Sequence, residues 1–167
     1  MARALIVGCG CRGRALGERL LDAGWQARGT TRDPGNAEEI LAAGVEAVVA
    51  DPDRVGTVLD HVGDVTLLFW LLGSASGEPD ALAAVHGPRL ERLLEELVDT
   101  PVRGVVYESS GRVPPDLLDQ GAAIVRAASG RWRIPIEIVD ADPGDWEGWL
   151  VAMLDAAEQL TGAARGR

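Results

Sequence analysis

Between Ala4 and Val139, short apolar runs alternate with stretches of helical period, and nearly every connection is short. Ala4-Leu-Ile-Val7 reads as a buried strand, followed by a glycine loop and a helix carrying Leu16, Leu20 and Leu21 that Gly24 stops. Further strands are expected over Trp25–Thr30, Val45–Ala50, Val65–Leu72, Val102–Tyr107 and Ile134–Val139. Helical periods occupy 37–43, 80–98 and the stretch from Leu117 to Ala128, with Gly87-Pro88 breaking or kinking the second. Asp51-Pro52 is expected to open another helix, carboxylate at the N-cap and proline in the first turn. Val65–Leu72 is apolar on both faces, as a central parallel strand must be. A last helix carries Trp146, Trp149, Leu150, Met153, Leu154 and Ala157 on one stripe. Strand–helix repeats joined this tightly form right-handed βαβ units, hence a parallel sheet of about six strands covered on both faces.

The 167 residues suit one domain over 1–160, with the Gly- and Arg-rich 161–167 as a frayed tail. Sixteen basic against 26 acidic side chains leave a net charge of −10, which argues against nucleic acid or an anionic membrane as partner. The longest apolar run, Val65–Leu72, falls far short of the roughly 20 residues of a membrane span. Every basic residue is arginine. The chain therefore supplies no Schiff-base amine, no phosphate-binding Walker lysine and no Tyr-x-x-x-Lys pair. Abundant Gly and Ala with all-arginine usage suggest a GC-rich source, which says nothing about function. Cys9 and Cys11 are too close for an unstrained disulfide, and neither His61 nor His86 has ligand spacing around it. No metal is expected. The cysteines read as small loop-fillers in a reducing compartment, and with no signal peptide visible the expected localisation is cytoplasmic.

Gly8-Cys-Gly10-Cys-Arg-Gly13 follows the first strand directly and opens the first helix, the context that gives Gly-x-Gly-x-x-Gly its meaning. Gly8 allows the tight turn, Gly10 lets backbone approach a pyrophosphate, and Gly13, helped by Gly17, lets the helix lie close to the sheet. The helix N-terminus then offers free N–H groups to phosphates. The fold class is accordingly α/β: a doubly wound, three-layer α/β/α Rossmann fold that binds NAD(P). The end of the second strand discriminates between cofactors. Thr31 and Arg32 suit the 2′-phosphate of NADP, with Arg12 able to reach the same group; Asp33 as a ribose ligand would instead mean NAD, the second choice. Val7-Gly-Cys-Gly10 also looks like a methyltransferase loop, but Thr30-Thr31-Arg32 stands where that class carries an acid.

Taken together, Gly8 to Gly13, Gly29-Thr-Thr-Arg-Asp-Pro34, Val48-Val-Ala-Asp51 and Val105-Val-Tyr-Glu-Ser-Ser110 resemble the short-chain dehydrogenase/reductase superfamily. The likeness is to its atypical and extended branches, the NAD-dependent epimerase/dehydratase group, over roughly residues 3 to 140. The resemblance implies that Asp51 contacts adenine, that Leu72, Gly73 and Ser74 run beside the cofactor, and that Ser109 and Ser110 border the nicotinamide. Where the family carries Tyr-x-x-x-Lys this chain reads Pro115-Asp-Leu-Leu-Asp-Gln120, with Asp116 and Gln120 in those two places. The only tyrosine, Tyr107, falls within the fifth strand and is expected to pack beside the sheet. The chain also stops soon after the sixth strand, where the family adds its substrate-binding region.

If hydride transfer occurs, Ser109 and Ser110 are the candidates to orient a carbonyl, with Asp116 or Glu108 as proton shuttle. Otherwise the serines cap the turn and the acids are solvated. Asp140, Asp142 and Asp145 read as caps of the last helix rather than a cation site. The Trp146–Trp149–Met153 stripe has no later element to cover it, so a homodimer through this helix is expected. Two classes of function remain: an NADP-dependent oxidoreductase with a non-standard site and an unnamed small-molecule substrate, or a non-catalytic dinucleotide-binding sensor or partner subunit.

Overall fold

In the computed structural model, which describes residues 2–165 and their side chains through 162, six parallel strands form one sheet in the order β3-β2-β1-β4-β5-β6. The strands are β1 (Arg3–Val7), β2 (Gln26–Thr31), β3 (Glu46–Val49), β4 (Leu67–Trp70), β5 (Gly104–Glu108) and β6 (Ile136–Val139). The helices are α1 (Cys11–Asp22), α2 (Ala37–Ala42), α3 (Val55–Leu59), α4 (Pro79–Val85), α5 (Pro88–Leu97), α6 (Pro115–Trp132) and α7 (Trp146–Arg165). Winding runs outward from β1 to β3, then crosses back to β4 and runs the other way. β1 is therefore central, with Ile6 opposite Gly29 on one side and Phe69 on the other.

Side chains alternate between the faces of each strand, and that alternation divides the core in two. Ala4, Ile6, Leu67, Phe69 and Val106 join residues of α1, α2 and α7; Leu5, Val7, Leu68, Trp70, Val105 and Tyr107 join those of α3 to α6. Gly24 (φ 90°) and Gly44 (φ 83°) sit in left-handed backbone just past α1 and α2, where a side chain would be strained. Gly87-Pro88 does break the 80–98 helix, giving α4 and α5 as separate pieces. Trp70 Nε1–H donates to Val85 O at 3.1 Å, which holds the end of α4 on β4.

Three expectations are corrected. Asp51-Pro52 opens no helix: Asp51 Oδ1 accepts the N–H of Asp53 at 2.9 Å in a turn, and α3 starts only at Val55 behind Arg54. The segment read as a frayed tail belongs to α7 as far as Arg165; residues 166 and 167 lie outside the described residues. The dimer stripe is the third. Trp149 is 1% exposed and Met153 0%, packed with Leu150, Ala157 and Leu160 on the sheet face that α1 and α2 leave open. That face is bare over β4–β6 because α4, α5 and α6 all lie on the other side, so α7 returns to cover it. Of the three residues named for the interface, Trp146 alone remains open, at 46%. Of the three aspartates expected to cap the last helix, only Asp145 does so, its Oδ1 accepting the N–H of Gly148 at 3.1 Å at the start of α7; Asp142 Oδ1 accepts that of Gly144 at 2.8 Å in the turn before the helix, and Asp140 is exposed. Among the described residues no helix is long and apolar enough to cross a membrane.

Trp149 thus acts within one chain. Trp149→Ala is expected to lower the unfolding free energy in urea by about 3–5 kcal/mol, the cost of emptying a large aromatic site in a packed core. A loss under about 1 kcal/mol would contradict this assignment.

Candidate functional site

The chain leaves β1 at Val7 and turns at Gly8, whose φ of 87° favours glycine. A β-carbon there would also run into the carbonyl of Leu71. Gly8 N–H donates to Thr30 Oγ1 at 3.3 Å and Cys9 N–H to Thr30 O at 3.2 Å, which pins the loop to β2. The Cys9 side chain drops onto Gly29, where a β-carbon would lie 2.5 Å from the sulfur. Burial pushes the Cys9 thiol up to about 12, so it is a packing group and no nucleophile. Gly13 and Gly17 bring α1 down onto the sheet: a β-carbon on Gly13 would be 3.2 Å from Gly8 O, and one on Gly17 2.5 Å from Val45 Cγ2.

Gly10 differs from its neighbours. It takes extended backbone at the N-cap of α1, and nothing stands within 4 Å of where its β-carbon would be. Gly10 O takes the N–H of Arg14 at 2.8 Å; the N–H groups of Cys11, Arg12 and Gly13 come before any acceptor within the helix. No acidic side chain occupies the first turn. The positive end of α1 consequently opens on the space in front of Gly10.

That space is a cleft of about 820 Å³, running from the glycine loop past the ends of β2 and β3 to the segment after β4 and to α4. Of the residues singled out by sequence, it gathers Gly8, Gly10, Cys11, Arg12, Thr31, Arg32, Asp51, Leu72 and Ser74 along its walls. Gly13 lies beneath, inside α1, and Gly73 is buried with its N–H donated to Glu108 Oε1 at 2.9 Å. At the β2 end, Thr31 Oγ1 donates to Asp33 O at 3.0 Å, and Asp33 Oδ1 accepts the N–H of Gly35 at 2.9 Å. One oxygen of that carboxylate is therefore engaged in its own turn, while Arg32 is exposed beside it. Sequence reasoning missed Arg14, which lines the cleft and pairs with Glu39 at 3.2 Å, and missed the apolar wall from Leu82 and Val85 of α4. The signal for α4 was present: a short amphipathic helix directly following the β4 loop.

The catalytic candidates are elsewhere. Ser109, Ser110 and Asp116 do not line the cleft. Ser109 Oγ donates across to Val139 O at the end of β6 at 3.3 Å rather than capping its own turn, and Asp116 is exposed in the first turn of α6. Glu108 is not a solvated acid. It is buried, with Oε1 on Gly73 N–H and Oε2 accepting Trp149 Nε1–H at 2.8 Å. Burial raises its pKa, and the two donors and Arg12 oppose that rise. Tyr107 is buried beside the sheet and donates its O–H to His86 Nδ1 at 2.7 Å. His86 Nε2 lies 2.9 Å from Leu72 O; a carbonyl can only accept, so the ring is the Nε2–H tautomer. Burial lowers the His86 pKa and raises that of Tyr107, where the Glu108 and Asp119 charges add to it. No sequence pattern marked His86, a lone histidine in a helical run.

No family model and no curated protein matches the sequence. Solved structures match in fold. BdcA (YjgI) from E. coli superposes with a TM-score of 0.71 at 20% identity, over 94% of this chain and 91% of that one. A short-chain dehydrogenase/reductase superfamily protein from Agrobacterium tumefaciens with bound NAD gives 0.67 at 20% identity, over 81% of this chain and 48% of that one. UDP-glucuronic acid 4-epimerase from Bacillus cereus in complex with NAD gives 0.65 at 15% identity, over 84% and 56%. This chain spans about half the length of the last two. At these identities the likeness is one of architecture: the chain has the Rossmann fold of short-chain dehydrogenase/reductase proteins.

The buried histidine yields a pH test. Its folded pKa lies below the ordinary 6.5, so below that value the unfolded chain binds more protons than the folded one. His86 therefore contributes stability above 6.5 that is lost as pH falls through it. Between about pH 7.5 and 5.5 the urea midpoint of the wild type should fall further than that of His86→Gln. Equal falls would show that His86 does not titrate against folding.

Proposed function

We propose that this chain is a nicotinamide-dinucleotide-binding protein whose ligand lies across the cleft in front of Gly10. The observation that carries the reading is the open space at that one glycine, facing the unshielded N-terminus of α1 at the β1–β4 boundary where the strand order reverses. The donors present suit a pyrophosphate: main-chain N–H groups of Cys11 and Arg12, with the Arg12 guanidinium beside them. Asp51 at the end of β3 and the Thr31–Asp33 turn would hold the adenosine. When bound, such a cofactor supplies hydride chemistry; the chain's own part is to bind and orient it. NAD bound to structural neighbours supports NAD. A second reading, NADP, is favoured by Arg32, exposed at the cleft beside an aspartate whose Oδ1 is already engaged. With Ser109, Ser110 and Asp116 outside the cleft and Tyr107 donating to His86, a sensor or partner subunit accords better with the geometry than an oxidoreductase.

Gly10→Val should abolish binding of NAD and NADP in calorimetric titration while leaving circular dichroism and the urea midpoint close to wild type, because its side chain enters open space. Unchanged binding would remove Gly10 from the ligand site. Gly8→Val, by contrast, should unfold the loop and lower stability by about 1–3 kcal/mol or more. Arg32→Glu should weaken NADP at least about tenfold, or roughly 1.4 kcal/mol, and leave NAD nearly unchanged. Equal affinities of the wild type for both nucleotides would eliminate the 2′-phosphate reading.

A further inference from the structure

A doubly wound sheet of this strand order has two mononucleotide-binding halves, one at the carboxyl ends of β1–β2–β3 and one at those of β4–β5–β6. The cleft of this chain belongs to the first. The cleft reaches Leu72, Ser74 and α4, but among the described residues nothing from the segments after β5 or β6 lines it.

Main chain closes the second half. The Gly73 carbonyl accepts the N–H of Val113 at 2.9 Å, its N–H goes to Glu108 Oε1 at 2.9 Å, and Ser74 Oγ accepts the N–H of Arg112 at 3.4 Å. Gly73 and Gly111 meet backbone to backbone. A β-carbon on Gly111 would collide with the Gly73 carbonyl, and one on Gly73 with the Ser110 carbonyl. Ser109 N–H donates to Val139 O at 2.9 Å, drawing the end of β5 onto β6 as well. Beneath these contacts the Glu108 carboxylate is held on its other oxygen by Trp149. The loops after β4 and β5, which would have to stand apart to admit a second nucleotide, are laced together by hydrogen bonds and glycine-to-glycine contact.

We propose that the site is selective for the adenosine diphosphate half of its ligand, so that its ligand class is ADP and sugar-linked ADP derivatives, with the full dinucleotide bound no better. This rests on the dinucleotide reading of the Gly8–Gly13 loop. The nicotinamide riboside half projects past Ser74 into solvent and gains no contact. Selectivity for adenine nucleotides then comes from the ends of β2 and β3, and affinity from the pyrophosphate on α1.

Isothermal titration of the whole chain with ADP-ribose, NAD and nicotinamide mononucleotide tests this. The expected result is that ADP-ribose and NAD have Kd values within about threefold of each other, with no heat from the mononucleotide. NAD tighter than ADP-ribose by more than about threefold, or displacement of ADP-ribose by nicotinamide mononucleotide, would overturn the proposal while leaving the dinucleotide reading intact. Absence of binding by all three overturns both, and that outcome is distinct from the first.

Discussion

The close seating of α1 on the sheet is the constraint on which the carboxyl edge depends. Three positions permit it. Gly17 admits Val45, Gly29 admits the Cys9 thiol, and Gly13 sits over Ile6 and the Gly8 carbonyl; a β-carbon at any of the three would be 3.2 Å or less from its neighbour. A larger side chain at Gly17 or Gly29 would lift the helix and swing its N-terminus away from the β1–β4 boundary. The same seating explains why Cys9 is inert and buried while Cys11, two residues on, is exposed on the cleft. Helix position, loop shape and the direction of the α1 dipole are one fact seen three ways.

The alternation of apolar runs and helical periods made the fold legible, because each βα unit writes its own signature locally. The left-handed glycines ending α1 and α2, the break at Gly87-Pro88 and the cap at Asp145 could be read for the same reason. What could not be read depends on distant partners. The α7 stripe looked uncovered because sequence does not reveal that α4, α5 and α6 all fall on one face, leaving the other for Trp149 and Met153. Asp51 looked like a helix cap because an aspartate before a proline also makes a turn, and the turn won. Of the cleft, the glycine loop at the start of α1 and the β2 end on its wall were legible from their place after β1 and β2. Glu108 and His86 were not: their partners lie 35 and 41, and 14 and 21, residues away.

Those two buried groups organise the floor and the far side of the cleft. His86 holds Leu72 from below and takes the Tyr107 hydroxyl, so the one tyrosine of the chain is occupied in the interior. Glu108 joins the β4 loop to α7 through Gly73 and Trp149. Removing the Glu108 carboxylate would leave the buried N–H donors of Gly73 and Trp149 unsatisfied, which costs about 1–3 kcal/mol. In this chain the polar groups at the ends of β4 and β5 are engaged in holding loops together. The glycine-loop and β2 side of the cleft, by contrast, keeps the first N–H groups of α1 and the Arg32 side chain open.

The central claim is that the cleft holds an adenine dinucleotide by its adenosine diphosphate half. Saturation-transfer difference NMR on NAD with the purified chain tests it most directly, since each ring carries resolved protons. Strong saturation of the adenine and adjoining ribose protons and none on the nicotinamide ring is the expected result. Saturation of the nicotinamide protons equal to that of adenine, or none anywhere on the ligand, would contradict it.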